Sequence, residues 1–390
     1  MIETTFCSQA WSDIKFSLAR RKLQHCCRAT LQDFPEDLTV DFINNNSLIN
    51  ERRSYLLEGK RHKQCAICWL EEDTTGSSYR TINGKRLAKE EIESNPNKNF
   101  IDRIEIQFDN ICDQSCIYCG PAFSSVIAKE RGIPERKLNY GEKDLQTVIE
   151  WLELFYENDP SEKVIRITGG EPTASKSWYY FIDRLLESSV AENKMLIHTV
   201  TNANFKKSVQ TRITDYMKKS KNWKWSWALS NESTGMLSEN VRFGSSWEKW
   251  KENYEFFLGF TNMPFLMISP SPNIFTIKSM PEFFNYVIKT SELLNPSLPL
   301  RINLNWVERP DHFNPAYLPV SHKQYIDESL EIISNSNVMH KEQCIAWLNQ
   351  LKNKIGTKDL DIKILKGHLD KENHYKNNML NIKLLLDQIN

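Results

Sequence analysis

From residue 101 onward the chain switches back and forth between two periodicities. Arg103 to Asp109 (RIEIQFD) alternates apolar and polar positions, the period of a strand with one buried face. Lys163 to Thr168 (KVIRIT), Met195 to Val200 (MLIHTV), Trp223 to Leu229 (WKWSWAL), Phe265 to Ser269 and Leu300 to Trp306 (LRINLNW) read as strands too. Helical sequence separates them: through Trp151 to Tyr156, then Trp178 to Ser188, Val209 to Lys218, Trp247 to Leu258, and Pro281 to Leu294, opened by a proline in its first turn. Six strand–helix units in succession imply a parallel sheet with right-handed crossovers. The pattern does not separate an open doubly wound sheet from a barrel or part of one. In either, a site is expected at the C-terminal ends of the strands.

The flanks differ. The first hundred residues are rich in Cys, Arg and Lys and lack the strand–helix rhythm. After Pro319 the pattern predicts helical hairpins over Tyr325 to Ser334, Lys341 to Lys354 and Asn378 to Ile389. The expected organisation is therefore a Cys-rich region over 1–100, the βα core over 101–320 and a helical segment over 321–390. No internal repeat and no low-complexity tract is visible.

Composition narrows the class. With 390 residues, 40% hydrophobic and 11% aromatic, the chain suits two or three packed units and not wholesale disorder. No apolar run approaches the ~18 residues of a membrane span. Met1 to Cys7 has neither a basic n-region nor an apolar h-region, so no signal peptide is read there and a cytoplasmic protein is expected. Fifty basic against fifty acidic residues give no global pull toward polyanions, so neither nucleic acid nor a membrane is an expected partner.

Nine cysteines then change the picture, because all but Cys344 fall within the first 119 residues. Close-spaced cysteines in a cytosolic chain point to metal more than to disulfides. The strongest pattern is Cys112-x3-Cys116-x2-Cys119, directly after the first strand. Three thiolates on one loop suit three irons of a cubane cluster and leave one iron open. A zinc site completed by a distant ligand such as Cys344 is the competing reading. Gly169-Gly170-Glu171-Pro172 ends the second strand. Its glycines allow close backbone approach, and its carboxylate suits an ammonium partner.

Together these motifs resemble the radical S-adenosylmethionine (SAM) superfamily, in its twitch/SPASM branch. The resemblance extends to Thr201-Asn202-Ala203-Asn204 after the third strand and Ser230-Asn231-Glu232-Ser233 after the fourth. It also takes in Val241-Arg242 with Ser246-Trp247, and Asn303-Leu304 through Leu318-Pro319. Asp113, Ala203 and Glu232 stand where the family more often has Asn, Gly and Asp. The implied fold is α/β, a partial (β/α)6 TIM barrel. The implied cofactors are a 4Fe–4S cluster on Cys112, Cys116 and Cys119, and SAM. The resemblance assigns Glu171 to the SAM ammonium, Gly169 and Gly170 to backbone access, and Tyr118 to the adenine. It makes Asn202 and Ser230 ribose or carboxylate contacts, with strand-end capping as the ordinary alternative. Arg242 becomes a partner for the SAM carboxylate, or else a surface ion pair. No protein side chain is singled out as catalytic.

The upstream cysteines Cys7, Cys26-Cys27 and Cys65-x2-Cys68 make a closed four-thiolate set, fit for an iron–sulfur cluster or structural zinc. Phe6-Cys7 with Trp11, and Cys68-Trp69 with Glu72, Gly76, Ser78 and Arg80, resemble the branch's accessory region. That implies an auxiliary 4Fe–4S cluster on Cys7, Cys26, Cys65 and Cys68, with zinc as the alternative. Cys26 is chosen over Cys27 without a sequence reason, and Cys344 is taken as a buried thiol.

Other features read as structural. Trp223, Trp225 and Trp227 share a parity opposite to Ser230 and are expected to pack under helices. His198 shares parity with Asn202 and is expected as a hydrogen-bonded core histidine. Lys218 to Lys221 is read as a solvated turn. Of Glu105, Gln107 and Asp109, one set is expected to line the barrel lumen. The reading is a SAM-cleaving enzyme that oxidises or cross-links a peptide or small polar metabolite, with flavodoxin or ferredoxin as electron donor. Its rivals are a non-catalytic metal-binding protein on the same fold, with clusters serving structure or electron transfer, and a zinc-stabilised nucleic-acid binder.

Overall fold

The structure is a computed structural model and describes residues 5–83, 86–96, 98–133, 142–375 and 381–389. The strands are β1 (Asp13–Ser17), β2 (Lys22–Gln24), β3 (Gln32–Asp33), β4 (Arg103–Gln107), β5 (Ser115–Cys116), β6 (Lys163–Thr168), β7 (Met195–Thr201), β8 (Trp223–Leu229), β9 (Arg242–Phe243), β10 (Leu266–Ile268) and β11 (Leu300–Ile302). Nine of them form one sheet in the order β11-β10-β8-β7-β6-β4-β1-β2-β3; β5 and β9 pair separately. The six predicted strands are β4, β6, β7, β8, β10 and β11, all parallel neighbours, as in a partial (β/α)6 barrel.

Alternation along the strands divides the sheet into two faces. Ile14, Ile104, Ile165, Ile197 and Trp225 are in register and buried, and face the helices. Trp225 and Trp227 stack with ring centroids 6.2 Å apart, and Trp227 meets Trp178 and Phe257 of the covering helices. The tryptophan stripe is thus core. The opposite parity gives a polar row across five strands: Lys15, Glu105, Arg166, His198 and Ser226. Lys15, Glu105, Arg166 and His198 of this row line the lumen.

Helices Glu142–Asn158, Lys176–Glu187, Lys207–Lys219, Trp247–Leu258 and Met280–Leu294 return the chain between strands. Ser175 and Ser246 cap two of them, accepting from the amides of Trp178 and Lys249. After Leu294 the sheet ends differently from expectation. The strand predicted over Leu300 to Trp306 stops at Ile302, although Asn303, Asn305 and Val307 still donate to Ile268, Pro270 and Pro272. Pro270 and Pro272 have no N–H to return, so the ladder lapses into a one-sided extended segment.

The N-terminal hundred residues hold strands that the sequence did not show. β1 pairs parallel with β4, and β2 and β3 extend the sheet antiparallel beyond it. The C-terminal segment forms the predicted helices Lys323–Ser334 and Lys341–Lys354, plus an unpredicted one, Ile362–Tyr375. Part of the helix expected over Asn378 to Ile389 lies outside the described residues; the described part holds Ile382–Leu386. The amide of Met339 bonds to Leu300 and covers the far sheet edge. Among the described residues, no helix is long and apolar enough to cross a membrane.

Candidate functional site

The cysteine loop leaves β4 and is held at both ends. At its centre, Cys116 pairs with Arg242 and Ser115 with Phe243 in the β5–β9 ladder, and the Ile117 amide donates to Val241. Arg242 directs its guanidinium to Glu232 Oε2, at 2.9 and 2.6 Å, while the Tyr118 hydroxyl donates to Glu232 Oε1 at 2.9 Å. Glu232 and Arg242 are only 1% and 6% exposed, so this is a buried ion pair that carries a phenol. Asp113 fixes the other side: Asn202 donates to its Oδ1 at 2.7 Å and Asn204 to its Oδ2 at 2.9 Å. Asp113 and Glu232 are two of the departures from the family pattern, and here both are anchors of the loop.

Gly169 and Gly170 sit under the loop's entry. A Cβ on Gly170 would lie 2.2 Å from the Ile111 carbonyl oxygen, and one on Gly169 3.0 Å from that of Asp109. The amides of Gly170 and Glu171 donate to Asp109 and Ile111. The close approach that the glycines allow is thus to the loop's own backbone.

Glu171 is buried and takes hydrogen bonds from its surroundings. Oε1 accepts from the Thr173 amide and hydroxyl (3.0 and 2.7 Å) and the Thr201 hydroxyl (2.8 Å); Oε2 accepts from the Asn202 amide (2.6 Å). Oε2 therefore keeps a lone pair for one more donor. Burial outweighs these bonds and pushes the carboxyl up to about 7, helped by the nearby charge of Asp113. Asp113, Glu171, Asn202 and Asn204 share the wall of an open pocket of about 500 Å³. Ser230 is half-buried at the end of β8, its amide donating to Thr201. Ala203 adopts φ 55°, in the left-handed region that favours the glycine the family more often carries there.

Four of the upstream cysteines share one cavity: Cys7, Cys26, Cys65 and Cys68 all line it. Cys27 instead lines the barrel lumen, a space of about 1130 Å³. The structure thus distinguishes two neighbours that the sequence could not. Burial pushes the Cys7 thiol up to about 12 and raises Cys65 and Cys68 as well. The chemistry of both cysteine sets fits a thiolate-bound metal. Among the described residues, however, no three Cys, His, Asp or Glu side chains already stand together as metal ligands.

Tyr118 and Arg242 are engaged with Glu232, and the Arg242 guanidinium lies 5.7 Å from the Tyr118 ring centroid. His198 bonds to Ser226 at 2.7 Å, and burial lowers it to about 3, so it is neutral at ordinary pH. Cys344 is buried, as expected. Lumen-facing Glu105 meets Lys15 at 2.8 Å and Thr168 at 2.9 Å.

No protein-family model matches the sequence, and no curated protein does. Several solved structures are similar in part. An anSMEcpe structure with bound AdoMet shares 16% identity over 61% of this chain, with a TM-score of 0.40. The present chain spans 62% of that protein's length. Streptococcus suis SuiB bound to S-adenosylmethionine shares 15% over 74% of this chain and 65% of its own, TM-score 0.41. SuiB bound to precursor peptide SuiA shares 16% over 88% and 75%, TM-score 0.42.

Proposed function

We propose that this chain is a radical SAM enzyme of the twitch/SPASM type, which oxidises or cross-links a peptide or a small polar metabolite. One observation carries the reading. The Cys112-x3-Cys116-x2-Cys119 loop ends the first barrel strand, and the Gly-Gly-Glu-Pro turn of the next strand packs directly beneath it. A purely structural metal clip has no need of that second element.

When bound, a 4Fe–4S cluster supplies the electron that splits SAM into methionine and a 5′-deoxyadenosyl radical, which takes a hydrogen atom from substrate. Cys112, Cys116 and Cys119 hold that cluster. Glu171 would accept from the SAM ammonium, while Thr173, Thr201 and the Asn202 amide hold the carboxylate in place. Asn202 and Ser230 stand at the ends of β7 and β8 for the ribose or carboxylate. Glu232 and Arg242 keep the loop in position and Tyr118 against it. The polar lumen row of Lys15, Glu105, Arg166 and His198 receives a polar substrate, and the barrel wall keeps solvent from the radical. Cys7, Cys26, Cys65 and Cys68 would hold an auxiliary 4Fe–4S cluster, and a flavodoxin or ferredoxin would supply electrons.

The test is reductive SAM cleavage by anaerobically reconstituted protein, read as 5′-deoxyadenosine. Cleavage by wild type and none by Cys112→Ala/Cys116→Ala/Cys119→Ala supports the reading. Equal cleavage by both rejects it.

A further inference from the structure

We propose that Arg52 is the built-in counter-charge of an anionic four-thiolate centre on Cys7, Cys26, Cys65 and Cys68, and that it inclines this centre to accept an electron from the barrel lumen. Three arginines wall the four-cysteine cavity: Arg28, Arg52 and Arg80. Arg80 meets both carboxylate oxygens of Glu72, at 2.8 and 2.7 Å, and Arg28 faces Glu71 at 3.4 Å. Arg52 has no such relief. It is 1% exposed, and its Nε and Nη2 have no hydrogen-bond partner. A guanidinium cannot shed its proton to escape burial. A buried cation without a partner is strongly destabilising. Arg28 and Arg80 share its cavity but already face carboxylates, and the four cysteines that line it too would become anionic as thiolates on a metal.

Four thiolates around either a zinc ion or an oxidised 4Fe–4S cubane carry two net negative charges, so Arg52 answers both. The wall of the cavity favours the redox centre. Cys26 and Tyr79 line the four-cysteine cavity on one side and the barrel lumen on the other. Cys26 stands at φ 92°, a conformation that only a constrained non-glycine residue holds. A thiolate ligand at that point puts the centre one side chain away from a substrate in the lumen.

A positive charge beside a cluster favours its more negative, reduced form and raises its potential. A substrate radical left by hydrogen abstraction gives one electron across Cys26 and one proton to solvent. The product is then two electrons more oxidised than the substrate, and the auxiliary centre is one electron more reduced. This rests on the proposed radical SAM reading for the origin of the radical, and goes beyond it in naming Arg52 as the counter-charge of the N-terminal centre.

The experiment compares wild type, Arg52→Met and Arg52→Lys as full-length, anaerobically reconstituted protein. The readouts are iron and zinc per chain, and an EPR-monitored redox titration of the cluster signal that added SAM leaves unchanged. Arg52→Met should lower the midpoint potential by about 59 mV or more, a tenfold fall in reduced over oxidised cluster for one electron. Arg52→Lys should stay closer to wild type. Loss of this cluster from Arg52→Met but not Arg52→Lys is equally supportive. An unmoved potential in Arg52→Met with full iron content overturns the proposal, as does loss of the cluster from both variants. Zinc in place of this cluster overturns the electron-acceptor role while SAM cleavage persists. Absence of SAM cleavage altogether is the separate failure of the underlying reading.

Discussion

Cys116 stands directly opposite Arg242 in a two-stranded ladder, so the middle of the cysteine loop is registered by a residue that is itself fixed to buried Glu232. Removing one member of a buried pair leaves the other charge unpaired, at a cost of about 3–5 kcal/mol. Glu232→Ala should therefore lower stability by about that amount in urea titration and reduce the iron retained at the loop. Glu232→Gln keeps acceptors for Tyr118 and Arg242 and should lose less. An unchanged urea midpoint in Glu232→Ala would show that the loop is held by other means.

Glycine substitution separates two places in the same site. Gly170→Ala drives a Cβ to 2.2 Å from the Ile111 carbonyl, a backbone atom that cannot step aside alone. It should displace the loop entry and abolish SAM binding by calorimetry. Gly120, at the loop's exit, has nothing within 4 Å of its Cβ direction, and Gly120→Ala should bind SAM as wild type does. Equal behaviour of the two variants would contradict the packing described.

Glu171 gives the site a pH signature. Its folded-state value, pushed up to about 7 by burial, lies above the ordinary 4.5. Its contribution to stability is therefore full at acid pH and lost as pH rises through about 7. Relative to Glu171→Gln, ligand-free wild type should lose thermal stability as pH rises from about 4.5 to about 7. SAM binding should strengthen over the same window, since an ammonium needs the carboxylate, and Glu171→Gln should flatten that profile. Parallel pH curves for the two proteins would remove Glu171 from this role.

Cys26 and Cys27 should behave differently despite adjacency. Cys26→Ser should lower metal content at the N-terminal site, and Cys27→Ser should not. Cys65→Ala/Cys68→Ala should retain SAM cleavage while product formation stops. Metal analysis with 5′-deoxyadenosine and product assays checks all three. About eight irons per wild-type chain corresponds to two cubanes, and about four irons with one zinc to a structural N-terminal site.

The barrel strands were legible because parallel strands of this length carry their own period-two pattern, and the tryptophan stripe told the buried face from the lumen. β1, β2 and β3 were not, because short strands among arginines and lysines have no repeat to read; only the pairing of β1 with β4, and of β2 and β3 in turn beyond it, makes them strands. The metal candidates were visible as spacings. What fixes them was not: Glu232 meets Arg242 and Tyr118, and Asp113 meets Asn202 and Asn204, only after β6, β7 and β8 are side by side. A departure from the family pattern signalled both carboxylates without revealing their partners. Arg52 carried no signal at all, since its meaning lies in the cavity that the fold builds around it.

The parallel pairing of β1 with β4 also bears on how the molecule is assembled. Asp13 finds Arg103 ninety positions further along the chain, so closing this rung follows synthesis of the segment that carries Cys26, Cys27, Cys65 and Cys68. Until then the edge of β4, with Ile104 and Ile106 on its buried face, offers unpaired amides and carbonyls to any passing strand. Cutting the chain at residue 101 to isolate the barrel would make that transient edge permanent, and the expected product is an aggregate rather than a smaller enzyme.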